Sequence, residues 1–192
     1  MLIEDLISNT NGLGSRVLHS ITTNCSQFIT ESAGLPLFKN LSTTYSNFQR
    51  VKVRRQKRKD TVAEAYDKAF ADQYSNIRQR AIFAYSSEYE PHGDTEPFYV
   101  FPVNGFSYLY SKEVTNSSSD YKRVIDTLIE QFDDAGQATD IVIDLLKYTY
   151  SNVNLSEGIN ASAEIIMYGI SHYYAVRVSA IPNYSKLVTI IK

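Results

Sequence analysis

The sequence predicts an α+β fold, a small mostly antiparallel sheet with three to four helices packed on one face, and three observations predict it. Apolar residues recur at helical spacing in several separated stretches, β-rich runs flank an Asn104-Gly105 dipeptide and recur near the C-terminus, and 192 residues at 43% hydrophobic content suffice for one buried core. Residues 1–14 read as an N-terminal arm, and residues 15–192 as a single α+β domain that carries a basic segment at 50–59.

In the first stretch, Val17, Leu18, Ile21, Cys25, Phe28 and Ile29 recur at helical spacing, with Ser15 as N-cap and Gly34 beyond the end. They predict one amphipathic helix over about 16–31. Met1 to Ile7 is apolar enough to pack, but Asn9-Thr10-Asn11-Gly12 and Gly14 detach it from that helix. Pro36 and the polar run from Asn40 to Asn47 read as a loop, and the alternation from Phe48 to Arg54 reads as a short strand. Thr61 and Glu64 have capping-box spacing. Val62, Tyr66, Phe70, Tyr74, Ile77 and Ala81 then mark one face of a helix over about 61–84.

Phe98 to Val103 and Phe106 to Ser111 are β-rich, and Asn104-Gly105 accepts positive φ at both turn positions, so a tight hairpin is expected there. Pro102 cannot donate to a ladder, which makes its strand an edge. Asp120 reads as the N-cap of a helix with Tyr121, Ile125, Leu128 and Phe132 on one stripe, closing at Gly136. A second helix over about 138–150 carries Ile141, Leu145 and Tyr148, and the short link makes the two an antiparallel helical hairpin. The segment 156–170 fits a helix and a buried strand equally well. His172 to Ile181 alternates as a strand, and Lys186 to Ile191 reads as a last one.

Composition excludes several classes. No stretch supplies the roughly 18 consecutive apolar residues of a membrane span, and Glu4 and Asp5 stand where a secretion signal needs a basic region. The reading is therefore of a protein with no membrane partner. A lone Cys25 closes no disulfide within the chain, and its place on an apolar stripe reads as core rather than nucleophile. His19, His92 and His172 form no ligand pair, and no phosphate-cradling glycine loop or nucleophile elbow is present. No catalytic residue, metal site or cofactor is assigned. The 15 Tyr and 9 Phe supply contact area that serves a half-buried core and an interface equally.

The charge distribution carries the functional signal. The net charge is −2, but seven of the 19 basic residues lie between Arg50 and Lys59, leaving 12 basic against 21 acidic groups elsewhere. Arg50, Lys52, Arg54, Arg55, Lys57, Arg58 and Lys59 repel one another until an anionic surface neutralises them. They are the candidate binding residues, and an acidic protein surface or nucleic acid is the expected partner. The competing reading is a solvated segment matched by the chain's own carboxylates, for instance those of the Glu88 to Glu96 loop. Only Phe48 and Tyr45 lie near the run as stacking rings, so base-specific readout is not expected. Asp140 and Asp144, four apart on one helix, offer part of what a two-metal nuclease needs, although acidic groups on a polar helix face are the ordinary case.

Two stretches, Phe101-Pro-Val-Asn-Gly-Phe-Ser-Tyr-Leu-Tyr-Ser-Lys-Glu-Val114 and Ala163-Glu-Ile-Ile-Met-Tyr-Gly-Ile-Ser-His-Tyr-Tyr-Ala-Val-Arg177, resemble uncharacterised proteins of large contractile-tailed bacteriophages (myoviruses). The resemblance implies a particle component, an assembly factor or a small effector inside the infected bacterium, located in the virion or the host cytoplasm. It transfers no catalytic residue. The reading that combines these observations is a non-enzymatic interaction or assembly protein, able to form a homo-oligomer or larger assembly, that docks through residues 50–59 onto an anionic partner. The alternative is a nucleic-acid-binding protein or metal-dependent nucleic-acid enzyme with Asp140 and Asp144 as ligands.

Overall fold

The computed structural model describes residues 15–53, 60–181 and 183–191. The arm at 1–14, and Arg54, Arg55, Lys57, Arg58 and Lys59, lie outside the described residues. The fold is α+β. Its elements run α1 (Ser15–Asn24), α2 (Ser26–Glu31), β1 (Phe38–Ser42), β2 (Phe48–Lys52), α3 (Thr61–Ala69), α4 (Ile77–Arg80), β3 (Ile82–Tyr85), β4 (Thr95–Pro102) and β5 (Ser107–Tyr110). They continue with α5 (Ser117–Phe132), α6 (Ala135–Thr149), α7 (Leu155–Asn160), β6 (Glu164–Tyr168), β7 (His172–Arg177) and α8 (Tyr184–Ile191). The sheet is larger than the sequence suggested: seven antiparallel strands in the order β2-β7-β4-β1-β3-β6-β5.

The connections force this sheet to curl. β4 and β5 stand four strand positions apart, which is about 19 Å on a flat sheet at ~4.8 Å per strand, yet Pro102 and Ser107 are joined by a chain that spans at most about 18 Å. Tyr168 and His172 impose the same closure on β6 and β7, across the same four steps with one residue fewer. The pairing is thinnest between β1 and β3, where the register is the single pair Phe38↔Tyr85. Two core clusters result. One joins α1, α2, α7 and α8 to the strands around Phe28, Leu37, Phe101, Ile165 and Met167; the other joins α3 to α6 against Leu109, Ile166 and Tyr168.

The expected hairpin at Asn104-Gly105 does not form. Gly105 alone has positive φ, and Asn104 is held by the α1–α2 junction: its side-chain amide donates to the Thr23 carbonyl (3.2 Å) and its Oδ1 accepts from the Gln27 N–H (3.0 Å). The segment is an anchored crossover, and β5 pairs with β6 instead. β4 is an interior strand, yet the prolines keep their rule. β1 has ended at Tyr99 before Pro102 is reached, and β7 reaches only Phe98, so Pro97 and Pro102 each have a strand neighbour on one side.

Helix boundaries shift for local reasons. The first helix breaks at Cys25, whose φ of −125° and ψ of 19° are not helical, while Leu18, Ile21, Cys25, Phe28 and Ile29 all enter the core as their spacing predicts. The expected helix 61–84 stops at Ala69, restarts after a left-handed Asn76, and gives way to β3. Asn116, not Asp120, caps α5, accepting from the Ser118 and Ser119 N–H groups, and Asp133 rather than Gly136 ends it. The segment that fitted helix and strand equally contains both, α7 and then β6. The last apolar run is helical: Leu187 and Val188 are both buried, which two successive strand residues over a one-sided core would not be.

Phase on α6 differs from the sequence reading. Ala138, Val142, Ile143 and Leu146 are buried, whereas Ile141, Leu145 and Tyr148 face outward, with Tyr148 89% exposed. No described helix is long and apolar enough to cross a membrane.

Candidate functional site

β2 is an edge strand: it pairs with β7 on one side, and no strand pairs with its other side among the described residues. Alternation along Phe48-Gln49-Arg50-Val51-Lys52 sends Phe48, Arg50 and Lys52 to one face and Gln49 and Val51 to the other. The register sets Arg50 opposite Tyr174 and Lys52 opposite His172, so that face carries two cations beside the β7 rings. Phe48 stacks on Tyr174 with ring centroids 5.3 Å apart, and His172 meets Tyr174 edge-on at 5.9 Å. All three rings are partly exposed. The Arg50 guanidinium approaches His172 Nδ1 at 3.5 Å, and burial together with that neighbouring charge lowers the His172 pKa.

Arg50 and Lys52 are exposed, and neither has an ion-pair partner among the described residues. The acidic loop does not reach them: Glu96 pairs instead with Arg177 at 2.7 Å, whose guanidinium also lies 5.5 Å over the Phe98 ring. Along the same edge runs a groove of about 650 Å³. Lys39 and Leu41 of β1, Tyr45, β2 from Gln49 to Lys52, Val53, Ala81, Ile82 and Tyr173 line it, with three cations and no carboxylate among them. Lys39 donates to the Phe83 carbonyl at 2.8 Å.

Sequence reasoning singled out Arg50 and Lys52 and missed the rings. Tyr174 and His172 stand at least 120 residues from β2, and only strand pairing brings them beside it. The signal that was available is the alternation of β7, which put Tyr174 on one face without saying which strand lay next to it.

The other candidates take structural places. Asp140 and Asp144 are exposed on α6, and no group of three His, Cys, Asp or Glu that could hold a metal exists among the described residues. Cys25 is fully buried, its thiol pushed up to about 12 by burial. A second polar cluster is internal. Glu164, 2% exposed, accepts from the Ser117 N–H (2.6 Å) and the Ser117 hydroxyl (3.0 Å), and burial raises its pKa. Arg78, 3% exposed, donates to the Ser117 and Ser118 hydroxyls and lies 4.3 Å over the Phe83 ring. These contacts tie the start of α5 to α4 and β6, while Arg78 Nε is buried with no hydrogen-bond partner among the described residues.

Comparison of the chain with protein-family models, with curated proteins and with solved structures gives no match in any of the three.

Proposed function

We propose that the protein is a non-enzymatic interaction or assembly protein that docks through its basic segment onto an anionic partner. One observation carries the reading: Arg50 and Lys52 stand exposed on an edge strand with no carboxylate partner among the described residues, at the point where the sequence continues into Arg54, Arg55, Lys57, Arg58 and Lys59. Cations without carboxylate partners attract an anionic surface over several ångströms and orient its approach. The likeness of the two stretches quoted above to myovirus proteins supplies a setting, the virion or the infected cytoplasm, where anionic surfaces abound.

The test replaces four of the seven basic residues, Arg50, Lys52, Arg55 and Lys57, with Ser and compares retention on a heparin column at low salt. The docking role requires that the wild type be retained and the variant be released early. Equal retention of the two refutes it.

A further inference from the structure

We infer that the anionic partner is single-stranded nucleic acid, laid across the β2–β7 edge with bases against the Phe48, Tyr174 and His172 rings and phosphates against Arg50 and Lys52. The inference rests on the docking reading above and narrows it to one ligand chemistry.

An acidic protein surface or a polyanion needs cations alone, and the basic run supplies them without help. On the face where Arg50 and Lys52 project, however, three rings lie side by side: Phe48 in β2, then Tyr174 and His172 in β7, consecutive at 5.3 and 5.9 Å, with the buried Val176 opposite Phe48. Partly exposed rings beside cations on a sheet surface are the two components that single strands require, a π platform for each base and a charge for each phosphate. Duplex nucleic acid fits less well, because its base faces are already stacked and offer nothing to an aromatic ring. Stacking on rings tolerates sequence, because every base has a π face.

The experiment uses the full chain and a fluorescein-labelled oligothymidylate of about 15 nucleotides, titrated by anisotropy at low salt beside a duplex of equal length, heparin and poly-glutamate. The expected result is tighter binding of the single strand than of the duplex or poly-glutamate. Phe48→Leu, which keeps an apolar side chain in the half-buried position, is expected to lower single-strand affinity at least about 5-fold, and to leave heparin retention unchanged. Tyr174→Leu is the second variant, used with a thermal melt so that a change in folding is seen separately. Arg50→Ser with Lys52→Ser is expected to weaken binding to both oligothymidylate and heparin. If heparin is retained while Phe48→Leu and Tyr174→Leu leave oligothymidylate affinity unaltered, stacking is refuted and docking survives. Equal binding of duplex and single strand, or poly-glutamate bound as tightly as either, also overturns the inference. Failure of the wild type to bind any of these polyanions removes the docking reading itself.

Discussion

Leu145 and Leu146 are adjacent on α6 and chemically identical, yet the fold assigns them opposite fates. Leu146 is 0% exposed within the cluster that joins α3, α5 and α6, while Leu145 is 38% exposed. Truncating a fully buried leucine removes its transfer free energy and leaves a cavity, so Leu146→Ala is expected to cost about 2–5 kcal/mol. Leu145→Ala removes atoms that water already reaches in part, and helical propensity favours Ala, so its cost is expected to stay within about 1 kcal/mol. For a chain of this size, each kcal/mol lowers Tm by about 2–4 °C, which separates the two variants by several degrees in a thermal melt and more clearly in urea titration. The comparison is informative because helical periodicity by itself selected Ile141, Leu145 and Tyr148 as the inward stripe. Equal destabilisation by the two substitutions, or a larger loss at Leu145, would show that α6 is rotated from the described orientation and would undo the second core cluster as assigned.

Two further stability tests address the interior. A Cβ at Gly158 would lie 2.6 Å from Cγ of the buried Tyr110 ring, whose hydroxyl is fixed by the Val153 carbonyl, so Gly158→Ala is expected to destabilise by about 1–3 kcal/mol in urea titration despite the better helix propensity of Ala; a neutral or stabilising result would mean that α7 does not press on that ring. Burial raises the Glu164 pKa, so its uncharged form is favoured by folding: its contribution is fully present below the ordinary glutamate range and is lost as pH rises through the raised value. Glu164→Gln is therefore expected to flatten that part of the stability-against-pH curve, and an unchanged curve would show that Glu164 titrates normally in the folded protein.

What the sequence made legible was local, and what it hid was pairing. Core membership survived even where boundaries did not: Val62, Tyr66, Phe70, Ile77 and Ala81 are buried although they divide between α3, α4 and the residues just past their ends, because burial tracks apolarity and the chain can turn between buried residues. The Asn104-Gly105 expectation failed because turn propensity competes with tertiary contacts. Asn104 gains more from the open end of α1 and the start of α2 than a hairpin would give it. The C-terminal helix was misread because Leu187-Val188-Thr189-Ile190-Ile191 satisfies strand composition, and only the two-sided burial of Leu187 and Val188 separates the alternatives. At the candidate site, charge density was visible in one dimension. The rings beside it were not, because β7 reaches β2 only after β3 to β6 have been laid down, and no local pattern encodes that register.

An exposed edge strand raises a question that bears on function, since Lys and Arg on an edge also serve to keep it from pairing with another chain. The two roles of Arg50 and Lys52 separate in their salt dependence. A cation that meets a phosphate releases condensed counterions, so removing two such contacts to a single strand lowers the slope of log K against log salt by about 1.4. Between about 50 and 200 mM salt, the advantage of the wild type over Arg50→Ser with Lys52→Ser is then expected to shrink about 7-fold. A pure guarding role predicts the reverse pattern: an unchanged slope for oligothymidylate, with self-association of the variant appearing in sedimentation velocity as the bared edge pairs with another copy. Parallel slopes for wild type and variant would remove Arg50 and Lys52 from the binding surface, however many cations follow them in the sequence, because contacts that release no counterions are not contacts with phosphate.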